Sequence, residues 1–242
     1  MGTGSFGSLR ANTWRWAFLR HLRREAQRAA PAHAGAVMDR MRSSAQRLFD
    51  DSRRDVPDKP GLMMVGACSL VLAGYRELLA AGVDRLTAYE TVRCAFLATF
   101  ATSTRWFART FLALSRDPVA RLSKPVSLRL GQRAFGAMFG FEQRASGDEV
   151  DLVVTHCGFH QFYVEHGEPL LTLIHSEWDR IFMDAMNASR RPIQVQRPET
   201  ISTGCDRCVF RFVRTVDVAG TALDIVLASR PELTASLSEQ EG

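Results

Sequence analysis

Near residue 150 the apolar spacing of this chain changes, and that change limits the fold more than any other feature. Before it, apolar residues recur every three and four positions, the period of an amphipathic helix; after it, Asp151-Leu152-Val153-Val154-Thr155 is β-branched and strand-like. Segments 14–30 and 33–49 carry the helical spacing, and Pro31 stands where it can open the second helix. Pro60 to Ala81 reads as the first arm of a helical hairpin, with Gly82 as its left-handed cap. Thr87-Ala88-Tyr89-Glu90 reads as a capping box that starts the second arm, which is predicted to run past Phe100. Asp117-Pro118 opens a further helical stretch toward Met138, and Gly136 and Gly140 flank a turn before a charged break at 142–149. Beyond the break, Glu168-Pro169 is predicted to open a helix through Met186, while Ile193 to Gln196 and Val209 to Val213 read as strands. The expected fold is α+β: a helical N-terminal half with its hairpin, then a small antiparallel sheet with a central helix. Residues 1–60 form an Arg-rich helical extension in this reading, 61–230 the α+β domain and 231–242 a frayed tail. Ala222 to Leu227 fits either a last helix or a strand.

At 242 residues and 46% hydrophobic content the chain can bury a full core. Only Lys59 and Lys124 are lysines among 31 basic residues, a bias that fits a GC-rich genome better than a phosphate-binding surface. The net charge of +5 is therefore weak evidence for nucleic acid. Arginines crowd the segment from Arg10 to Arg54, but Glu25, Asp39, Asp50, Asp51, Asp55 and Asp58 are interspersed, as on solvated helix faces with ion pairs three and four residues apart. The run from Gly61 to Tyr75 ends at Arg76-Glu77, short of the roughly 20 apolar residues a bilayer demands. No secretory core follows Met1. The expectations are a cytoplasmic protein with a small-molecule substrate, no nucleic acid and no membrane partner. The helical extension is a candidate element for homo-oligomer formation. Five cysteines, an odd number in a chain this large, favour free thiols or metal ligands over disulfides.

Chemistry-bearing residues concentrate between Thr155 and Phe212. His156, Cys157, His160, His166, His175, Glu177, Asp179, Glu199, Cys205 and Cys208 all fall there, whereas a chain that only needed a core would not gather imidazoles and thiols. His175 and Asp179, four apart on the predicted central helix, project from one face, as suits a histidine oriented by a carboxylate. Cys205 and Cys208 stand three apart in a Gly-containing turn, the spacing of a zinc knuckle or of a redox dithiol. Cys157, at the end of a strand, is a third thiol able to converge with them. Cys68 and Cys94, on apolar helix faces, read as core; His21 and His33 read as solvated, and His166 before Gly167 as the end of a helix.

In the same region Cys157, Glu165-His166-Gly167-Glu168-Pro169-Leu170-Leu171, Arg197, Thr200-Ile201 and Gly204-Cys205-Asp206-Arg207-Cys208-Val209-Phe210-Arg211-Phe212 resemble the L-2-amino-thiazoline-4-carboxylic acid hydrolase family. The upstream hairpin, with Tyr75-Arg76-Glu77-Leu78-Leu79, is similar to that family's helical part, so the resemblance spans Gly61 to Val213. Family members usually carry a second cysteine where this chain has His175 and an aspartate where it has Trp178. They also continue the last motif with aspartate where this chain has Val209. The resemblance implies hydrolysis of a 2-amino-thiazoline carboxylate to an N-carbamoyl-cysteine.

Two mechanisms fit these residue types. In one, Cys157 or Cys208 attacks covalently after His175 takes its proton, with Asp179 or Glu177 orienting the imidazole and no cofactor. In the other, Cys157, His175 and Cys208 hold a zinc ion that activates water. The lack of two closely spaced ligand pairs favours the first. Arg197 suits the substrate carboxylate, since a guanidinium can engage it bidentately, and His160 and Glu177 are the further candidates for substrate binding. A competing class is a non-catalytic binding module similar to sensor domains of the vinyl-reductase type, with Glu199, Cys205 and Cys208 as ligands of a structural zinc. An inactive paralogue is the third reading, given His175 and Val209.

Overall fold

The computed structural model describes residues 9–215, with side chains from residue 13 onward. In chain order the elements are α1 Leu9–Ala29, α2 Ala34–Ser52, α3 Lys59–Ala80, α4 Arg85–Ala113, α5 Pro118–Leu122 and α6 Pro125–Phe135. Then come β1 Phe139–Ser146, β2 Glu149–Cys157, α7 Gly158–Glu165, α8 Thr172–Asn187, β3 Gln194–Glu199 and β4 Cys208–Val213. The fold is α+β as expected. All strand pairs are antiparallel and the sheet order is β1-β2-β4-β3.

Local chemistry explains most boundaries. Asp58 caps α3, accepting the Gly61 N–H at 2.8 Å, and Pro60 occupies the first turn, where its missing N–H costs nothing. Gly82, at φ 83, ends the arm as its sequence position requires. The second arm begins three residues earlier than the expected capping box: Asp84, not Thr87, is the cap and accepts the Thr87 N–H at 3.0 Å. With Asp84 as cap, Thr87 is the third residue of the helix and its own N–H is the donor that the carboxylate satisfies. The stretch after Asp117 is two helices and not one, because Pro125 cannot continue α5. The charged segment at 142–149, read as a break, is instead most of β1 and its turn. β1 is an edge strand, so Glu142 and Arg144 stay in solvent and pair at 3.0 Å while the backbone still bonds β2.

α3 is long and apolar enough to cross a membrane by length and composition, but 67% of that stretch is buried within the fold, which accounts for its apolar surface. It lies at the centre of the larger core. The Arg-rich extension does not stand apart from this core. Phe18, Leu22, Val37, Met38 and Met41, all buried, join Leu70, Leu72, Leu78, Val92 and Phe96 in one cluster. Its exposed faces carry the expected pairs, such as Arg28 with Glu25 at 2.9 Å and Arg42 with Asp39 at 3.5 Å. A second cluster, including Leu112, Val150, Met186, Val195 and Phe212, joins the sheet to α8 and the end of α4. Residues 216–242, which hold the expected last element and tail, lie outside the described residues.

Candidate active site

Cys157 sits where β2 becomes α7. Gly158 permits that junction: a Cβ there would lie 2.8 Å from the Met138 carbonyl oxygen, so only glycine lets the helix start against the turn before β1. The backbone N–H groups of His160 and Phe159, in the first turn of α7, favour the Cys157 thiolate, although the sulfur makes no capping hydrogen bond. Burial opposes them and wins, pushing the thiol up to about 12, with Cys208 and Asp179 close enough to add to the rise. A cleft of about 350 Å³ opens beside the sulfur, lined among others by His160, Gln161, Ile201 and Cys205.

Cys208 enters the same region from β4, where it pairs with Val154 of β2. Its sulfur accepts the Ile201 N–H at 3.3 Å and lies 3.5 Å from the Thr200 hydroxyl. The hydroxyl relay continues from Thr200 to Ser202 at 3.1 Å and from Ser202 to Ser176 at 2.6 Å. Ser176 belongs to α8, so this chain of hydroxyls ties the β3–β4 connection to the helix. Arg197, from β3, completes the tie by donating to the Ser176 carbonyl at 3.0 Å and to Asp179 at 3.1 Å. Crowding by the surrounding protein raises the Asp179 carboxyl to about 7, against Arg197, which lowers it. The side chain keeps 35% of its exposure, so solvent still reaches the carboxylate.

Cys157, Cys208, Asp179 and Arg197 are thus brought together, while two expected members fall elsewhere. His175 is 3% exposed and belongs to the core. Its ring stacks on Phe159 at 3.9 Å with 9° between planes, meets Phe96 edge-on, and bonds the Tyr163 hydroxyl through Nε2 at 3.0 Å. Burial lowers its pKa to about 3. Neither Asp179 nor Glu177 orients it. Glu177 faces Arg93 at 3.4 Å, because two residues along a helix turn the side chain about 200° away from His175. His175 and Asp179 share a face as the spacing predicts, but the turn between them divides the aromatic core around His175 from the ion pair of Asp179 with Arg197.

His160 remains beside the cleft; its Nδ1 lies 3.2 Å from the Thr172 hydroxyl and burial lowers its pKa. Cys68 is core as expected, next to Tyr163, but Cys94 is exposed on α4. His166 does end α7. Ser176, Ser202 and Tyr163 went unnoticed in the sequence, since isolated hydroxyls carry no spacing signal.

Zinc does not fit these donors. With His175 committed to Tyr163 and boxed by aromatic rings, Cys157, His175 and Cys208 present no shared face to an ion. Glu199, the ligand of the alternative set, is held by Arg207 at 2.8 Å. Among the described residues no group of three His, Cys, Asp or Glu side chains is gathered for a metal.

A small antiparallel sheet thus packs against a helical bundle, with the Cys157 thiol at the β2–α7 junction and the perturbed Asp179 carboxyl on α8. Residues 70–212 match the L-2-amino-thiazoline-4-carboxylic acid hydrolase family, and the chain belongs to that family. No curated protein matches it. The solved structures it matches include the Fe(II) unliganded H-NOX protein from K. algicida, at 8% identity over 83% of this chain and 96% of that chain, with a TM-score of 0.31. A mutant of the same H-NOX protein matches at 8% identity over 84% and 97%, with a TM-score of 0.30. Scores this low inform neither the fold nor the site.

Proposed function

We propose that the protein hydrolyses a cyclic amidine carboxylate of the 2-amino-thiazoline-4-carboxylate type, with Cys157 as nucleophile and Asp179 as the group that moves its proton. The observation that carries this reading is the pairing of a thiol at the start of α7 with a carboxyl raised to about 7 within its electrostatic reach. A thiol pushed up to about 12 attacks only if its proton leaves as the bond forms, and a carboxyl near neutrality both accepts and returns a proton at working pH.

The steps balance without a cofactor. Asp179 takes the Cys157 proton as the sulfur attacks the amidine carbon between ring sulfur and ring nitrogen. Collapse breaks the bond from that carbon to the ring sulfur, which takes the proton from Asp179 and departs as a free thiol. Water then adds to the same carbon, giving a proton to Asp179, and the Cys157 sulfur leaves and recovers that proton. The carbon keeps both nitrogens and gains the water oxygen, which is the carbamoyl group of the product. The N–H groups of Phe159 and His160 favour the returning thiolate, and the free edge of Arg197 suits the substrate carboxylate. His160 borders the cleft and suits a polar contact with the ring.

The test is release of free thiol from 2-amino-thiazoline-4-carboxylate by the wild-type protein, Cys157→Ser and Asp179→Asn, with carbamoyl product measured in parallel. Both variants should lose at least about a hundredfold in kcat/KM. Wild-type levels of turnover in folded Cys157→Ser would overturn the assignment of the nucleophile.

A further inference from the structure

A second cavity, of about 520 Å³, lies between the last turns of α4 and the end of α8. Four guanidinium groups surround it: Arg105 and Arg109 are one turn apart on α4, and Arg190 and Arg191 follow α8. Its one carboxylate is Asp184, which faces Arg180 at 3.8 Å. None of the four arginines has an ion-pair partner among the described residues, although arginines across the rest of the fold, from Arg28 to Arg214, are repeatedly matched to carboxylates.

Uncompensated like charges one turn apart are destabilising on an isolated helix. The arginines after α8 gain something from the helix C-terminus, but Arg105 and Arg109 sit mid-way along the last third of α4 and have no such reason to converge there. The floor is apolar, with Leu112 and Ile181 beneath the charges. Volume, charge and floor together match a small organic anion, since ligand pockets span roughly 300–1,000 Å³ and guanidinium forks pair bidentately with phosphate oxygens.

We infer that this cavity binds a small molecule carrying two or more phosphoryl groups. The arginines engage the phosphoryl oxygens and the apolar floor receives any organic body attached to them. The site is separate from the cleft beside Cys157: it shares no lining residue with that cleft, whose walls come from β2, α7 and the segment between β3 and β4.

Calorimetric titration of the full chain with inorganic pyrophosphate, ADP and citrate tests the assignment. Pyrophosphate and ADP should bind, more weakly at high salt, and citrate at least about tenfold more weakly because its carboxylates do not reproduce clustered phosphoryl charge. Arg105→Gln with Arg109→Gln, and separately Arg190→Gln with Arg191→Gln, should each weaken binding about tenfold or more. All four positions are exposed, so both double variants should fold with unchanged thermal unfolding. Pyrophosphate binding as tightly as ADP identifies a free polyphosphate as the ligand class; ADP binding tenfold tighter places a nucleoside on the floor. Absence of binding, equal binding of citrate, or affinity that survives both double substitutions overturns the inference.

Discussion

Arg197 reaches Asp179 at 3.1 Å and the Ser176 carbonyl at 3.0 Å through one terminal nitrogen, which leaves its Nε and second terminal nitrogen without a partner among the described residues. The same guanidinium therefore serves two ends of the proposed reaction. It restrains how far the Asp179 carboxyl rises, and it keeps a free edge for a carboxylate.

The pH dependence of turnover should follow from that pair. A base acts when deprotonated, so kcat/KM should rise with pH through about 7, the value set for Asp179 by burial against Arg197. Arg197→Gln removes the group that lowers this pKa, so the rise should move to higher pH while KM increases. The measurement is a pH profile of kcat/KM for both proteins; profiles that coincide would separate Arg197 from Asp179 in function.

For Asp179 the effect of pH on stability has the opposite sign to that of the usual carboxylate. Its folded pKa, about 7, lies above the ordinary aspartate value of 3.8, so between these values the folded state holds a proton that the unfolded chain has released. Stability from this group is present at low pH and lost as pH rises toward 7. Asp179→Asn should flatten that loss, unfolding no earlier than wild type at pH 8 even though turnover falls. Thermal unfolding across this range checks it.

His175 should behave as a core residue. His175→Ala removes a ring packed against Phe159, Phe96 and Tyr163 and strands the Tyr163 hydroxyl, at a cost of about 2–4 kcal/mol. In the wild type its pKa is lowered from 6.5 to about 3, so the unfolded chain binds a proton that the folded state refuses. The stability is complete above 6.5 and is lost as pH falls toward 3. Denaturant unfolding at several acidic pH values should show this slope in the wild type and a shallower one in a folded His175→Phe variant.

What the sequence disclosed tracks which signals are local. Asp58, Gly82 and Asp117 announce helix ends because capping involves only neighbouring residues, and the β-branched run at 151–155 announces β2 because strand packing selects those side chains. β1 was hidden because an edge strand exposes charge and so loses the alternation that marks a buried one. The site divided the same way. Cys157 and Arg197 stood out through their motifs, but the i, i+4 spacing that grouped His175 with Asp179 says only that they share a helix face. Which part of that face meets Phe96 and Phe159, and which meets Arg197, is decided by tertiary packing.

Thiol chemistry offers a check on the nucleophile that does not depend on substrate. A functional cysteine with a depressed pKa would be alkylated quickly at neutral pH, but Cys157 is pushed up to about 12 and half-buried, so it should label slowly with iodoacetamide. Exposed Cys94 should label before it, and fully buried Cys68 last. Peptide mass spectrometry over time gives the order. A substrate analogue with an electrophilic amidine carbon should reverse it, modifying Cys157 ahead of Cys94, because only the bound electrophile sits where Asp179 can take the proton.

The last prediction concerns what holds the start of the site in place. The Asp58 carboxylate accepts two backbone donors at once, Gly61 at the head of α3 at 2.8 Å and Ala137 before β1 at 2.7 Å. Gly136 makes this possible: its φ of 77 is costly for any other residue, and a Cβ there would fall 2.5 Å from the Asp58 oxygen. Gly136→Ala should therefore cost about 1–3 kcal/mol, through strain and through displacement of the shared carboxylate. Asp58→Ala should cost about 1–2 kcal/mol through loss of the cap. Because both act on one contact, the double variant should be less destabilised than the sum of the two. Urea unfolding of the three variants measures this, and strict additivity would mean that the glycine and the aspartate stabilise the turn independently.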